Sequence, residues 1–437
     1  MTTLMAALHW RPHPPFFYGW LVLGTGALGA FVATSIAGVV LGGIQGLIVE
    51  ETGWNRSTIG LTAAAGVWGS GLLAPFVGRL ADRHGPRWMM PLGTLFLGLG
   101  LLVLAGTNAI WLFFLVAVLI RAISQPLLIG VVPQTNAVNF FRRQRNLALA
   151  LTGLFRPISG AILIPLISAV AVVSDWRTAF HGLGIFSLLC TLPMLLVIRR
   201  RPEDIGLRPD GDPAESPVPA RTGAKPDVSH PTPRSEPVWT ARAVLRTRTF
   251  WFIAIAMFLS VTSSSAIGFN LVPYLHDTTP LSTNQAAGVL SVGTLFALTN
   301  LVWGYVADRL TPRRCMIGAM LGGAGMILFL IAVDSLLSAY IFGMLWGIVS
   351  SAQVLVYMIL ARYFGQSSYG AIAGAMRPFE AGGLGVGQSL GTLLYDVTGN
   401  YDGLILAALG AHLLAALLMF LVRPPVPPSL VSASDAL

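Results

Sequence analysis

A series of long apolar runs, separated by short polar stretches, limits the fold of this chain more than any other feature of the sequence. An α-helix rises 1.5 Å per residue and needs roughly 20 apolar residues to cross the hydrocarbon of a bilayer. Twelve runs have about this length, at residues 17–42, 58–79, 88–107, 110–138, 146–172, 177–198, 250–273, 285–306, 315–333, 336–360, 369–395 and 402–422. They predict an all-α membrane protein with twelve transmembrane helices.

The composition also argues against a soluble protein. Of the 437 residues, 54% are hydrophobic and 10% are charged, which leaves too little polar surface to cover a soluble globule. The first apolar run begins near Phe16 and is long enough to span the bilayer, so we expect it to remain as the first helix. The only cysteines are Cys190 and Cys315, so we expect no disulfide framework, no metal site and no redox cofactor.

The basic residues predict the orientation in the membrane. Lys and Arg number 27 against 18 Asp and Glu, but the arginines form short clusters between apolar runs and no single basic face, so we expect no nucleic-acid binding. One side of the predicted arrangement carries Arg79, Arg83, Arg87, Arg142, Arg143, Arg145, Arg199, Arg200, Arg201, Arg309, Arg313, Arg314, Arg362 and Arg423. The other side has only Arg56 and Arg177. Both termini are therefore predicted to be cytoplasmic, in a multi-pass protein of the cell inner (plasma) membrane.

One polar segment divides the chain into two halves. It runs from 199 to 249, is rich in Pro, Asp, Glu and Arg, and has too few large apolar residues to bury a core. We interpret it as a cytoplasmic tether between a six-helix half at 1–198 and a second half at 250–423, followed by a cytoplasmic tail at 424–437.

Two internal repeats relate the halves. The sequence Gly-Arg-Leu-Ala-Asp-Arg at 78–83 recurs as Gly-Tyr-Val-Ala-Asp-Arg at 304–309. In the fifth and eleventh predicted helices, Gly-Leu-Phe-Arg-Pro at 153–157 recurs as Gly-Ala-Met-Arg-Pro at 374–378. Two matches at nearly the same offset, each in the corresponding helix of its half, indicate a duplicated six-helix unit.

Residues 78–87 resemble the signature loop between helices 2 and 3 of the major facilitator superfamily, and residues 304–314 are a shorter echo of it. Weaker features resemble the monocarboxylate-porter and oxalate/formate-exchanger branches, namely Tyr18-Gly19-Trp20, Thr52-Gly53-Trp54 and the stretch from Tyr395 to Gly399. The resemblance implies two pseudo-symmetric six-helix bundles, transport by alternating access, and function as a monomer.

The signature residues form a predicted conformational latch. A glycine permits close helix approach, and an aspartate can accept hydrogen bonds from a neighbouring helix N-terminus in one conformation and lose them in the other. The alternative is a tight turn on the cytoplasmic face. The residues concerned are Gly78, Asp82, Arg83, Gly85, Arg87, Gly304, Asp308 and Arg309.

Stripes of small residues predict the surface along which the halves rock. Helix 2 carries Gly66, Ser70, Ala74 and Gly78, and helix 11 carries Gly383, Gly387 and Gly391. Such stripes let backbones touch. In the superfamily these two helices pack across the boundary between halves, although static close packing fits the sequence equally well.

Two arginines inside the predicted spans are the main substrate-binding candidates. A central arginine costs roughly 2.5–3.5 kcal/mol on insertion scales, so each requires a reason. Arg156 and Arg377 each precede a proline in matching helices, where the helix is loosened and can face a cavity. Snorkelling to the surface is the alternative. Two facing guanidinium groups suit a mono- or dicarboxylate, so the predicted substrate is a small organic anion.

Four further residues are assigned to the site. Glu380 lies three residues after Arg377, on the same helical face, and either neutralises it or binds the proton that couples transport. Its counterpart in the first half is Ser159. Arg121 either adds positive potential for substrate or hydrogen-bonds Gln125. Of the uncharged polar residues, Tyr357 and Asn300 are the preferred substrate contacts.

The predicted function is a secondary carrier for a small carboxylate, by proton symport or anion exchange, and not an enzyme. A drug-efflux carrier is the alternative, favoured by aromatic content and disfavoured by the buried cations. A non-transporting sensor is a third possibility. No nucleotide-binding loop is present, which argues against an ATP-driven pump.

Overall fold

The computed structural model describes residues 14–36, 48–54, 56–211, 239–366 and 368–425. Within these residues the protein is helical and contains no strand. Twelve long helical segments follow one another: α1 (Tyr18–Thr34), α2 (Arg56–His84), α3 (Pro86–Gly106), α4 (Ile110–Phe140), α5 (Arg145–Val173), α6 (Trp176–Val197), α7 (Arg248–Thr278), α8 (283–309), α9 (Pro312–Ile331), α10 (Leu336–Phe364), α11 (Tyr369–Thr398) and α12 (Asp402–Leu421). Their order matches the twelve predicted helices. The end of the predicted first helix, 37–42, and the tail from 426 lie outside the described residues.

Three of the helices change pitch in the middle. The helix α4 contains a π-helical turn at Gln125–Ile129, where Pro126 lacks the N–H that would continue the α-helical pattern. The helices α8 and α10 contain 3₁₀ turns at Ala297–Thr299 and Ser351–Gln353. All three lie near the midpoint of a long apolar segment, where such irregular backbone usually lines protein or a cavity.

Eight helices in the described part are each long and apolar enough to cross a bilayer. They are α2, α3, α4, α6, α7, α9, α10 and α12. The described part of α1 is a shorter apolar helix of 17 residues. The predicted spans thus form membrane-length helices in both halves.

Side-chain caps set the first residue of several helices. Asp175 accepts a hydrogen bond from the Thr178 N–H at the start of α6, and this bond lowers the pKa of the Asp175 carboxyl. Thr247 caps α7 and Ser335 caps α10 in the same way. Each cap satisfies a backbone donor that the first turn of a helix leaves unpaired.

The most extensive packing between the halves is between two helix pairs. The helix α2 packs along α11, and α5 packs along α8. Within the halves, α3 packs against α6, and α7 packs against both α11 and α12. Helices α5 and α11, which carry the repeated Arg-Pro pairs, therefore both lie at the boundary between the halves.

The α2–α11 contact is close because small residues face each other there. A Cβ added to Gly78 would overlap the carbonyl group of Gly370, and one added to Gly374 would overlap the carbonyl group of Ala74. The predicted stripe on α11 is different, because Gly383 and Gly387 face the backbone of α7 in their own half. The expectation that this stripe forms the boundary between halves is therefore wrong.

Both ends of the tether pack against the helical halves. We name the end of the bundle where the tether lies, with the α2–α3, α4–α5, α8–α9 and α10–α11 loops, the tether end. Here Arg200 donates to the Asp82 carbonyl at 2.9 Å, and its own carbonyl accepts from the Asn139 amide at 3.1 Å. At the other end of the tether, Trp239 is 2% exposed and stacks edge-on against Phe364. The middle of the tether, 212–238, lies outside the described residues.

Candidate functional site

Arg377 lies at the centre of a polar cluster that joins the two halves. Its Nη1 donates to Glu380 Oε2 at 2.6 Å, one turn along α11. Its Nη2 donates to Gln134 Oε1 on α4, in the other half, at 3.1 Å. Its guanidinium carbon lies 4.5 Å from the ring centre of Tyr357 on α10, a cation–π contact. We name Arg377, Glu380, Tyr357 and Gln134 the Arg377 cluster.

Glu380 is an ionised acceptor in this arrangement. The Tyr357 hydroxyl donates to the same oxygen, Oε2, at 2.6 Å. The Arg377 guanidinium and the Tyr357 hydroxyl thus both donate to this one oxygen. An ionised carboxylate oxygen can accept both hydrogen bonds. The side chains of Arg377 and Glu380 are 16% and 23% exposed, so the ion pair is largely buried. The Arg377 cluster thus holds one positive and one negative charge close together inside the protein.

Arg156 is placed differently from Arg377, although the two occupy equivalent sequence positions. The Arg156 side chain is exposed, and it is near enough to Glu380 and Arg377 for their charges to interact. Among the described residues, none forms a hydrogen bond or an ion pair with it. Ser159, the counterpart of Glu380, donates to the Phe155 carbonyl of its own helix at 2.5 Å. Arg156 is therefore a cation without a hydrogen bond or ion pair among the described residues, although the charge of Glu380 acts on it.

Arg121 is packed inside the first half. Its side chain is 3% exposed, its Nη1 donates to the Ile36 carbonyl at 3.2 Å, and its aliphatic stem fills the space beside Gly66. The predicted bond to Gln125 is not formed, because Gln125 Oε1 has no partner in the described residues. This placement favours a structural role for Arg121, through the Ile36 carbonyl, over direct substrate contact.

Asn300 lies between the halves at the α5–α8 contact. Its amide packs against Gly153, one turn before Arg156. The buried Oδ1 of Asn300 has no hydrogen-bond partner within the described residues. This unpaired amide oxygen, close to the turn that carries Arg156, is consistent with Asn300 as a candidate substrate contact.

The first signature loop makes a contact between the halves. The Asp82 carboxylate accepts hydrogen bonds from the Gly370 N–H at 2.9 Å and the Ala371 N–H at 2.8 Å. These N–H groups belong to the first turn of α11, where the helix dipole also favours a negative charge. Gly78, one turn earlier, permits the close approach that brings Asp82 to this helix end.

The second signature loop makes a weaker contact. Asp308 is exposed and accepts one hydrogen bond, from the Asn146 amide at 2.6 Å. The backbone N–H groups just before α5 are bound instead by Asp210 of the tether, which accepts from Arg142 at 3.0 Å and from Arg143 at 2.7 Å. The two copies of the loop therefore differ in what they bind.

The remaining signature residues lie around these contacts. Gly85 has a φ of +81° and packs against the stem of Arg200. Arg87 lies over the Trp88 ring, Arg309 lies over the Tyr305 ring, and Arg83 is exposed. Gly304 lies against Ala150 and the Asn146 backbone of α5. These contacts fix the loops at the tether end.

Other hydrogen bonds between the halves also lie at the tether end. Arg145 Nη1 donates to the Ala361 carbonyl at 3.1 Å, and the Gln366 amide donates to the Val138 carbonyl at 2.7 Å. Together with the Asp82 and Asp308 contacts, they close this end of the boundary in the present conformation.

Sequence reasoning missed Gln134 and Asp210. Gln134 begins three consecutive polar residues in an otherwise apolar run, which was the available signal. Asp210 lies in a Pro-Asp-Gly turn with a φ of +59°, and no local pattern indicates that it reaches the start of α5. Across the described residues, no group of three or more His, Cys, Asp or Glu could hold a metal ion.

Comparison with known proteins identifies the family. The sequence pattern of the Major Facilitator Superfamily matches residues 23–377 and, in a second match, 253–436. The gentisate transporter of Corynebacterium glutamicum is 25% identical over 398 residues, covering 88% of this chain and 84% of that protein. A protein of Cupriavidus necator named "Probable sulfoacetate transporter SauU" is 28% identical over 186 residues, which is 42% of each chain.

Solved structures confirm the predicted fold. FucP, a Major Facilitator Superfamily transporter in the outward conformation, superimposes with a TM-score of 0.70 at 14% identity, covering 93% of this chain and 98% of FucP. The human organic anion transporter MFSD10 (TETRAN) gives 0.68 at 16% identity, covering 93% and 100%. Together with the family match, this fold shows a multi-pass transporter with twelve transmembrane helices in two six-helix bundles, and not an enzyme. By sequence and by fold, the chain belongs to the Major Facilitator Superfamily.

Proposed function

We propose that this protein is a secondary active transporter of small organic anions and that Arg156 is the main charge that binds them. The observation that carries this proposal is the contrast at the boundary between the halves. Arg377 is neutralised by Glu380, whereas the exposed Arg156 has no described partner. An uncompensated arginine inside a membrane protein is costly unless it serves a ligand, and a guanidinium binds a carboxylate or sulfonate through two parallel hydrogen bonds.

The printed names of the two sequence relatives support this class of substrate. Gentisate and sulfoacetate are both organic anions. They differ in size and in acidic group, but each presents planar or tetrahedral oxyanion oxygens to a cation. Tyr357 and Asn300 supply neutral polar groups near the two arginines, and one copy of the chain contains all of these residues, as expected for a functional monomer.

The orientation proposal follows from the arginine distribution. The arginine-rich loops lie at the tether end, so this end is placed in the cytoplasm of the cell, with both termini on the same side of the inner membrane. The present conformation is then closed toward the cytoplasm. The Asp82 and Asp308 contacts act as latches that form in this conformation and break when the tether end opens.

Coupling is assigned to Glu380. While Glu380 is ionised it holds Arg377 and Tyr357, and its protonation removes the charge that binds Arg377. Arg377 is then free to join Arg156 on the substrate, so proton binding and anion binding favour each other. Anion exchange is the second coupling mode, in which the substrate alone neutralises the arginines before the halves move.

The test uses purified protein in proteoliposomes. Uptake of labelled gentisate and sulfoacetate is measured with an imposed pH gradient for the wild type, Arg156→Gln and Arg156→Lys. We expect Arg156→Gln to lower uptake about 100-fold, because the removed group makes charge-assisted hydrogen bonds, and Arg156→Lys to retain part of it. Arg242→Gln, at an exposed position of the tether, is the matched control and should transport normally.

Two results would overturn the proposal. One is unchanged anion uptake by Arg156→Gln. The other is wild-type vesicles that take up neither anion but expel a lipophilic cationic dye, which would identify a drug-efflux carrier.

A second measurement separates symport from exchange. Glu380→Gln removes the proton site and leaves Arg377 uncompensated. For a symporter, this variant should lose uptake driven by the pH gradient and keep counterflow of labelled against unlabelled anion. For an exchanger, uptake under the pH gradient and counterflow should change by the same factor.

A further inference from the structure

We propose that a cavity in the second half holds the nonpolar body of the substrate and makes the transporter selective for acids that carry a six-membered ring. This inference rests on the proposed anion transport and specifies its substrate class. The cavity has a volume of about 300 Å³ and lies among α7, α8, α10 and α11.

The cavity begins one helical turn from the Arg377 cluster. Gln353 lines it and lies four residues before Tyr357 on α10, and Leu384 lines it and lies four residues after Glu380 on α11. On each helix, four residues correspond to about 6 Å of rise. Ser265 Oγ donates to the Leu384 carbonyl at 2.8 Å, which places this part of α7 at the same level. A molecule whose acidic group reaches the arginines therefore has its remaining atoms beside or inside the cavity.

The polar side chains of the lining lie toward the cluster, where Leu384 also lines the cavity. The end near the cluster carries Ser264, Ser351 and Gln353. The far end carries Leu271 and Trp346, and Trp346 lies eleven residues from Tyr357, about 16 Å along the helix. A ligand whose acidic group faces the arginines would place its apolar body toward Leu271 and Trp346.

The volume suits a ring. An apolar cavity of roughly 150 Å³ holds benzene, so a space of about 300 Å³ accepts a substituted ring together with part of its acidic chain. A two-carbon acid would leave most of the cavity unfilled and gain little from apolar burial.

The walls are rigid enough to select by size. Trp346 is 6% exposed and stacks on Phe342, with ring centres 5.8 Å apart and planes 16° from parallel. On the side facing α8, a Cβ added to Gly347 would overlap the Gly293 carbonyl group, so the two backbones are in contact there. A wall of stacked rings and touching backbones cannot easily move to fit a larger body.

The experiment fills the cavity and compares substrates. Leu290 lines the cavity and is 38% exposed, so Leu290→Trp places an indole in this space. Leu295 on the same helix is 61% exposed and does not line the cavity, so Leu295→Trp is the matched control. Uptake of labelled benzoate, gentisate, acetate and sulfoacetate is measured in proteoliposomes, and thermal unfolding of each purified variant reports its folding.

We expect wild-type KM values for benzoate and gentisate to be at least about tenfold lower than for acetate. Leu290→Trp should raise the KM for the ring acids at least about tenfold more than it raises the KM for the two-carbon acids, and it should keep the wild-type unfolding temperature. Leu295→Trp should behave as the wild type.

Failure of the inference is distinguishable from failure of the proposed function. If the wild type takes up ring acids and two-carbon acids with equal KM, or if folded Leu290→Trp transports ring acids normally, the ring pocket is refuted while anion transport stands. If the wild type takes up none of the four acids, both are refuted.

Discussion

The helices α5 and α11 occupy equivalent positions in the two halves and share the Arg-Pro pair, yet their arginines are in different environments. Arg377 is bound by Glu380, Gln134 and the ring of Tyr357. Arg156 is exposed toward the space between the halves and has no hydrogen-bond or ion-pair partner among the described residues. One position decides much of this difference, because the chain has Glu380 three residues after one arginine and Ser159 three residues after the other.

In the proposed mechanism, this difference lets one protein both bind an anion and couple its transport to protons. A site with two free arginines would bind an anion without responding to protons, and a site with two neutralised arginines would bind anions weakly. The duplicated helices supply Arg156 and Arg377. In the proposed mechanism, Glu380 makes the availability of Arg377 depend on protonation. Substitutions at five positions test this division of roles.

The largest effect is expected on stability, from Arg377→Gln. This change leaves Glu380 without its ionic partner inside the protein, and breaking a buried ion pair costs about 3 kcal/mol or more. We take the low end of that range, because the two side chains retain 16% and 23% exposure. Thermal unfolding in detergent measures the effect. The double variant Arg377→Gln/Glu380→Gln should recover most of the lost stability, and a double variant no more stable than the single one would contradict the pairing.

The next variant, Asp82→Asn, tests the contact between the first signature loop and α11. The carboxylate accepts two N–H bonds at the start of α11, and losing its charge should weaken the closed tether end by about 2 kcal/mol. Spin labels or cysteine accessibility at the tether end would report the greater population of the open state.

Asp308→Asn is the matched control for Asp82→Asn. Its carboxylate is exposed and accepts one side-chain bond, so its removal should shift the conformational equilibrium by less than about 0.5 kcal/mol. Equal shifts for the two variants would show that the two latches are equivalent after all.

Ser159→Glu gives the first half the same spacing of arginine and glutamate that Arg377 and Glu380 have in the second half. The new carboxylate lies one turn from Arg156 and should neutralise it as Glu380 neutralises Arg377, which should lower anion affinity about tenfold at neutral pH. Ser159→Gln has a similar shape without the charge and should bind normally. Equal binding by the two variants would mean that Arg156 does not contact the substrate.

A smaller effect on stability than that of Arg377→Gln is expected from Asp210→Ala in the tether. Asp210 accepts hydrogen bonds from the N–H groups of Arg142 and Arg143, and loss of such a cap costs about 1 kcal/mol. Unfolding should change by this amount, with anion uptake unaffected. A large loss of uptake would show that this end of the tether takes part in the transport cycle.

Much of the site was predictable for local reasons. The Arg377–Glu380 pair follows from their spacing, since residues three apart share a helical face. The Arg-Pro repeat followed from direct comparison of the halves. The Arg121–Gln125 bond, one of the two alternatives for Arg121, does not form although the spacing allows it, because the guanidinium donates to the Ile36 carbonyl instead. Spacing shows which groups can meet, and packing decides which ones do.

The sequence alone determined the helices, their duplication and the positions of the in-membrane charges, because these depend on apolar run length, helical periodicity and the cost of charge in lipid. Only the tertiary structure decided which residues of one half contact the other. Gln134 meets Arg377 across 243 residues of sequence, and Asp82 meets Gly370 across 288. Such contacts depend on how whole helices pack between the halves, and no local pattern specifies that packing.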